Sequence, residues 1–242
     1  RYDNNLCLTA SNNYDYSAIS FSANSIFSIT DNLKYSVGYS HVSRSPNMAE
    51  LFADGKHGPT NRYERGDSNL KREISRNIDL GIDYKLNNTY ISFDLYRNNI
   101  NNYIYLRDLG TTNYDGDHQD ANWSQKDGVI EGYEISLEKS FLIGGMDALL
   151  MISRDDISAT FDDNTYVPRI PSASNMIDIT VFGEKNKRYS LNLIHFEKQN
   201  DFSSIETKTN SHLDLSIKYS DKIALINLYD LNINLFASNF PS

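Results

Sequence analysis

Two polar stretches carry the side chains best suited to holding a metal. Residues 54–65, DGKHGPTNRYER, contain Asp54, His57, Arg62 and Arg65. Residues 114–123, YDGDHQDANW, contain Asp115, Asp117, His118 and Asp120. Imidazole nitrogen and carboxylate oxygen suit Zn²⁺ and similar metals, and an imidazole also serves as an axial ligand to haem iron. If the two stretches meet, His57, Asp115, Asp117, His118 and Asp120 form a candidate metal set. Asp54, Arg62 and Arg65 join His57 as candidate ligand-binding residues, the arginines serving equally as rim charges. The same aspartates offer the oxygen ligands that Ca²⁺ takes, but their spacing departs from the twelve-residue calcium-loop pattern. The alternative for each of these residues is a solvated acidic surface, because short His/Asp tracts are compositional signals.

The elements that must position these residues are strands. Side-chain character alternates with period two over most of the chain. Ile78, Leu80, Ile82 and Tyr84 share one face and Asn77, Asp79, Gly81 and Asp83 the other; Leu213, Leu215, Ile217 and Tyr219 likewise oppose Asp214, Ser216 and Lys218. Strands are expected near 17–29, 33–43, 73–85, 89–106, 127–141, 147–160, 173–183, 188–199, 210–219 and 229–238, with a further one over 1–10. No amphipathic helix of useful length stands out. Tight turns at Thr30–Asn32, Leu86–Asn88, Ile143–Gly145, Glu184–Asn186 and Ser220–Lys222 alternate with longer polar loops at 44–72, 107–126, 161–172 and 200–209. Both candidate stretches therefore fall on the long-loop side. His41, His195 and His212 fall within strands and are read as structural or interfacial.

Composition narrows the class. The chain has 242 residues, 39% of them hydrophobic, and a net charge of −9. No apolar run is long enough for a spanning helix, whereas a spanning barrel keeps low mean hydropathy because its strands alternate. The acidic balance argues against nucleic acid, whose phosphates need a basic surface. Cys7 is the one cysteine and forms no internal disulfide. Short turns on one side and long loops on the other are the asymmetry of an outer-membrane barrel. Strands beyond about ten residues also suit a bilayer better than a sandwich. A soluble extracellular β-sandwich that binds sugars or acts as an adhesin is the alternative from another class. Nothing nominates an enzyme: the serine elbow, the HExxH zinc motif, the phosphate-binding glycine loop and the Cys/His cluster do not occur.

The stretch Arg44-Ser45-Pro46, Glu50-Leu51-Phe52, His57-Gly58, Tyr63-Glu64, Gly66-Asp67, Asn69-Leu70-Lys71, Glu73 and Asp79-Leu80-Gly81 resembles the rim of a TonB-dependent outer-membrane receptor, with its Arg-Ala-Pro box, loop and (Asn/Asp)-Pro-Asn-Leu box. Asn102–Leu106, Gly132-Tyr133-Glu134, Val167–Pro171 and Asn232–Phe236 resemble the family in the expected order. Ser45 replaces the alanine of the first box, Ser68 the proline of the second, and Arg72 another common proline. The resemblance implies an all-β, antiparallel transmembrane β-barrel, with residues 1–242 forming the C-terminal portion of a 22-stranded receptor barrel whose plug domain and barrel ends are missing. Arg44, Pro46, Asp67, Asn69 and Leu70 are then rim architecture.

The resemblance also implies a role and a place. The protein is expected in the bacterial outer membrane, in contact with outer-membrane lipid. It would take up a scarce metal species with the help of TonB and the inner-membrane proton-motive complex, acting through the missing plug. No resident cofactor is required. Leu51–His57 is most similar to the loop of zinc-uptake receptors, which makes zinc the first expectation for the ligand. Haem is the second, since haem receptors of the family carry a histidine between the same two boxes. An Fe(III)-siderophore is the third, engaged by basic residues such as Arg62 and Arg65.

Overall fold

The computed structural model describes residues 16–113, 115–184, 187–203, 206, 208–221 and 231–241. The strand expected over 1–10 lies outside the described residues, as do parts of the turns at 184–186 and 220–222. Among the described residues, ten strands run in chain order through one antiparallel sheet. They are β1 (Phe21–Thr30), β2 (Leu33–Arg44), β5 (Glu73–Leu86), β6 (Thr89–Thr112), β7 (Gln119–Ile143), β8 (Met146–Phe161), β9 (Ser174–Phe182), β10 (Arg188–Phe196), β11 (His212–Asp221) and β12 (Leu231–Pro241). The connection between β2 and β5 carries α1 (Met48–Phe52), β3 (Asp54–His57) and β4 (Arg62–Arg65).

The register keeps each face uniform. Val37 pairs with Leu80, Leu80 with Leu95 and Leu95 with Tyr133; Ile152 pairs with Ile177. This face is apolar yet open: Leu80 is 47% exposed and Ile217 49%. A water-soluble sheet would cover such a face, whereas a membrane barrel turns it to lipid. Two-residue turns at 31–32, 87–88 and 144–145 lie at one end of the sheet. Gly144 and Gly145 make the last of these at positive φ, where glycine costs no side-chain clash.

The long-loop end differs from expectation in two ways. The polar loop expected over 107–126 is mostly strand: β6 and β7 run on past the end of β8 and leave only 113–118 between them. There the few apolar residues face the rim rather than a continuous apolar surface: Ile104 and Trp123 pack with Leu51 and Leu70, and Leu106 and Ala121 are buried among polar neighbours, so the period-two signal fades. The connection 44–72 is likewise not simply polar loop. Beyond Gly128, where β8 ends its pairing, the far edge of β7 is vacant. β4 fills it, pairing parallel with β7 from Arg62↔Gln119 to Arg65↔Asn122. Because β6 lies between β5 and β7, the β2–β5 connection passes across β6 to reach that edge.

Candidate functional site

The rim is built from its anchors. Arg44 ends β2, and Pro46, which has no N–H for the ladder, is buried just beyond it. Asn47 caps α1: its side chain accepts from the Glu50 N–H at 2.9 Å, while Glu50 Oε2 accepts from the Asn47 N–H at 2.7 Å. The buried Glu50 also accepts two bonds from Arg44 Nη1, at 2.8 and 2.9 Å. Arg44 Nη2 donates to Glu73 Oε2 at 3.1 Å, and that oxygen accepts the Ile104 N–H of β6 at 2.8 Å. One arginine thus ties α1, the start of β5 and β6 together. Burial works against the Arg44 charge, but its hydrogen bonds to Glu73 and Glu50 outweigh that and raise its pKa.

The second box makes a turn. Asp67 Oδ1 accepts from the N–H and the side-chain amide of Asn69, at 2.8 and 3.0 Å, the local bonding that suits Asp and Asn to turns. Leu70 then buries against Leu51, Ile104 and Trp123. Gly66 approaches α1 so closely that a Cβ would lie 2.5 Å from the Leu51 carbonyl carbon and the Phe52 nitrogen. Arg44, Asp67, Asn69 and Leu70 thus bond or pack within the rim, and Pro46 is buried there.

The β3–β4 hairpin is clamped onto the β6–β7 hairpin by ion pairs. Lys56 Nζ reaches Asp117 at 2.7 Å and Asp115 at 2.9 Å. Arg62 binds Asp108, which also receives Arg169 Nη2 at 2.7 Å. Arg65 reaches Asp120 at 2.7 Å. Hydrogen bonds to Asp117 and Asp115 raise the Lys56 pKa, and the Lys56 bond is the main reason the Asp117 carboxyl sits well below the usual range. The Asp108 bond does the same for Arg62, holding it more firmly protonated.

These pairings engage three of the five candidate metal residues: Asp115 and Asp117 with Lys56, and Asp120 with Arg65. The two loops meet through Lys56, Arg62 and Arg65. His118 Nδ1 lies 3.0 Å from Asp117 Oδ1 without hydrogen-bond alignment. Asp54 accepts from the Tyr63 hydroxyl at 3.0 Å. Among the described residues, no three His, Cys, Asp or Glu side chains gather as a metal site.

His57 stands apart from this. Its register partner is Arg62, and its Nδ1 meets Glu64 Oε1, two residues further along β4, at 2.9 Å. Glu64 is buried at 5% exposure and also accepts the Thr60 hydroxyl at 2.7 Å. The imidazole side chain is 52% exposed, and among the described residues no hydrogen bond is recorded to Nε2. Lys56, Glu64 and Arg169 were not legible as site residues. The signal for Glu64 is the turn GPTN, whose Asn61 takes a positive φ and folds the chain back onto His57.

The family model for the TonB dependent receptor-like β-barrel matches residues 1–239. The chain belongs to this family. Solved structures agree in fold. The copper transporter OprC superposes with a TM-score of 0.68 at 16% identity, over 84% of this chain and 31% of its own. A ferric enterobactin receptor mutant of Pseudomonas aeruginosa in complex with enterobactin gives 0.66 at 16% identity, over 91% and 34%. The siderophore receptor PirA from Acinetobacter baumannii gives 0.61 at 17% identity, over 85% and 35%. The chain spans about a third of the length of these receptors. TonB-dependent receptors are barrels of the bacterial outer membrane and not enzymes, so the soluble-sandwich alternative falls, and an open apolar face is what such a barrel turns to lipid.

Proposed function

We propose that this chain is the C-terminal barrel portion of a TonB-dependent receptor that takes up a metal species, and that His57 meets the metal through Nε2. One observation carries the metal contact: Nδ1 is fixed by a buried carboxylate while the ring is half exposed. Histidines that ligate metals almost always bond their other ring nitrogen to a carboxylate, carbonyl or water, which sets tautomer and aim. A single imidazole suits a metal that arrives with most of its shell filled, such as haem iron or a chelate. Bare Zn²⁺ takes about four donors. With Asp115 and Asp117 on Lys56 and Asp120 on Arg65, those donors would have to come from beyond the candidate set. This ranks haem or a metal chelate ahead of zinc. Energy for release into the periplasm would come from TonB and its proton-motive partners through a plug domain.

The test uses the full-length receptor. Haem titration should give a Soret shift that His57→Ala abolishes and Glu64→Gln weakens about tenfold, with Zn²⁺ titrated in parallel by calorimetry. If wild type and His57→Ala bind haem, Zn²⁺ and Cu²⁺ alike, His57 is not the metal contact. Zinc binding lost in His57→Ala without a haem response would restore the zinc reading.

A further inference from the structure

The charge around Glu64 depends on where Arg62 is held. The two residues lie two apart on β4, so their side chains share one face of that strand, roughly 7 Å apart along it. That is within reach of an arginine, yet among the described residues no lysine or arginine bonds Glu64. Its carboxylate meets the Thr60 hydroxyl at 2.7 Å and His57 Nδ1 at 2.9 Å. A carboxylate only accepts, so Nδ1 carries the hydrogen. Arg62 is engaged elsewhere. Its Nε and Nη2 both go to the Asp108 carboxylate, Nη2 at 3.1 Å, and its Nη1 donates to the Thr60 carbonyl at 2.6 Å. The Arg62 and Asp108 side chains are both largely buried. Arg169, from the β8–β9 connection, donates to the same carboxylate at 2.7 Å and to the Leu106 carbonyl at 2.8 Å, which anchors Asp108 further.

We infer that Asp108 sets the oxidation-state preference of the His57 site: it holds the Arg62 guanidinium off Glu64 and so tunes Nε2 for ferric over ferrous iron. This rests on the reading that His57 meets the metal of its cargo through Nε2. A carboxylate on the Nδ1 hydrogen makes the imidazole a stronger donor. An electron-rich donor beside a full negative charge favours the more highly charged metal, and hydrogen bonding behind the axial ligand is one of the levers that set haem potentials. Glu64 acts in this way only while its charge is undivided. A guanidinium bonded to it would share its oxygens and offset that charge. Asp108 prevents this by offering two acceptor oxygens matched to the fork of Arg62. Freed from Asp108, Arg62 would have Glu64 on its own face of β4. Asp108 is thus a positioning residue, acting on the metal contact through Arg62, Glu64 and His57 in turn.

The probe is haem, titrated into the full-length receptor as ferric haem and, under dithionite, as ferrous haem, with binding read from the Soret band. Asp108→Asn should lower the ratio of ferric to ferrous affinity roughly tenfold, equivalent to a rise of about 59 mV in the potential of the bound haem. The decisive variant is D108N/R62Q. With the guanidinium gone, Glu64 regains its full charge and the ratio should return to the wild-type value. A residue that merely props the loop would not be repaired by deleting its partner as well. Glu64→Gln removes the charge directly and should lower the ratio by the same factor, which keeps the test open should D108N fold poorly. An unchanged ratio in D108N or in Glu64→Gln, or a loss in D108N that R62Q leaves unrepaired, would overturn the inference. His57→Ala separates it from the reading beneath it. Haem binding lost in His57→Ala with the ratio unchanged in D108N sinks this inference alone, whereas wild-type binding in His57→Ala sinks both.

Discussion

Removing the Glu50 side chain tests whether the rim is held by its own cap and ion pair. Glu50→Ala deletes half of the capping box, worth roughly 1 kcal/mol. It also deletes two bonds from Arg44. Charge-assisted bonds contribute about 1.5–3 kcal/mol when sheltered, but the Arg44 side chain is 39% exposed and keeps Glu73, so about 1 kcal/mol is the reasonable share. The total, about 2 kcal/mol, corresponds to roughly a 30-fold rise in local opening. The amides that report it are Leu51, bonded to the Asn47 carbonyl at 3.1 Å, Gly66, bonded to Ala53 at 2.7 Å, and Asp67, bonded to Glu50 at 2.9 Å. Hydrogen exchange on the folded full-length receptor should show these three losing protection together, while the β5–β6 ladder stays unchanged. A change under about threefold at these amides, or an equal loss across β5–β6, would refute the reasoning.

Two further outcomes are expected. Gly66→Ala should expose the same loop, since its Cβ would meet the α1 backbone at 2.5 Å and such overpacking costs about 1–3 kcal/mol; Gly55→Ala, with open space around it, is the silent control in the same exchange measurement. The Lys126 bond, ahead of the Thr165 hydroxyl, pulls the Asp163 carboxyl down to about 2. A depressed carboxyl stabilises above its unfolded value near 4 and loses that contribution as pH falls toward about 2. Protection of the Phe161 amide, bonded to Thr165 at 2.8 Å, should therefore hold from pH 7 to about 4 and then fall, and Asp163→Asn should remove the pH step.

The sheet was legible because lipid on one side and a polar interior on the other write period two into every spanning strand. Ile78 to Tyr84 and Leu213 to Tyr219 show it plainly, and their strands start and stop close to expectation. The signal fails where that contrast ends. Residues 107–112 are mostly exposed, and in 119–126 only Ala121 and Trp123 are apolar, so little in their polarity separates them from loop. β3 and β4, DGKH and RYER, are too short and too charged to alternate, and their seating depends on Lys56, Arg62 and Arg65 finding Asp115, Asp117, Asp108 and Asp120 far along the chain. Arg44, Asp67, Asn69 and Leu70 of the two boxes bond and pack within the rim itself. Of the candidate metal residues, His57 alone keeps an exposed, oriented ring, and its partner Glu64 becomes visible only once the turn at Asn61 brings the hairpin together.

The parallel pairing of β4 with β7 also sets an order of assembly. The β2–β5 connection is synthesised first, yet its docking edge does not exist until β6 and β7 have been made and zipped beyond Gly128. Closing so distant a contact carries the entropy of the whole intervening segment, which the β5–β6–β7 ladder absorbs beforehand by holding the ends near each other. The rim is thus a late event, and its protected amides double as a timer. During folding into a bilayer, protection at Gly66 and Asp67 should appear only after the β6–β7 ladder is protected, giving a residue-level clock for the completion of this part of the barrel wall.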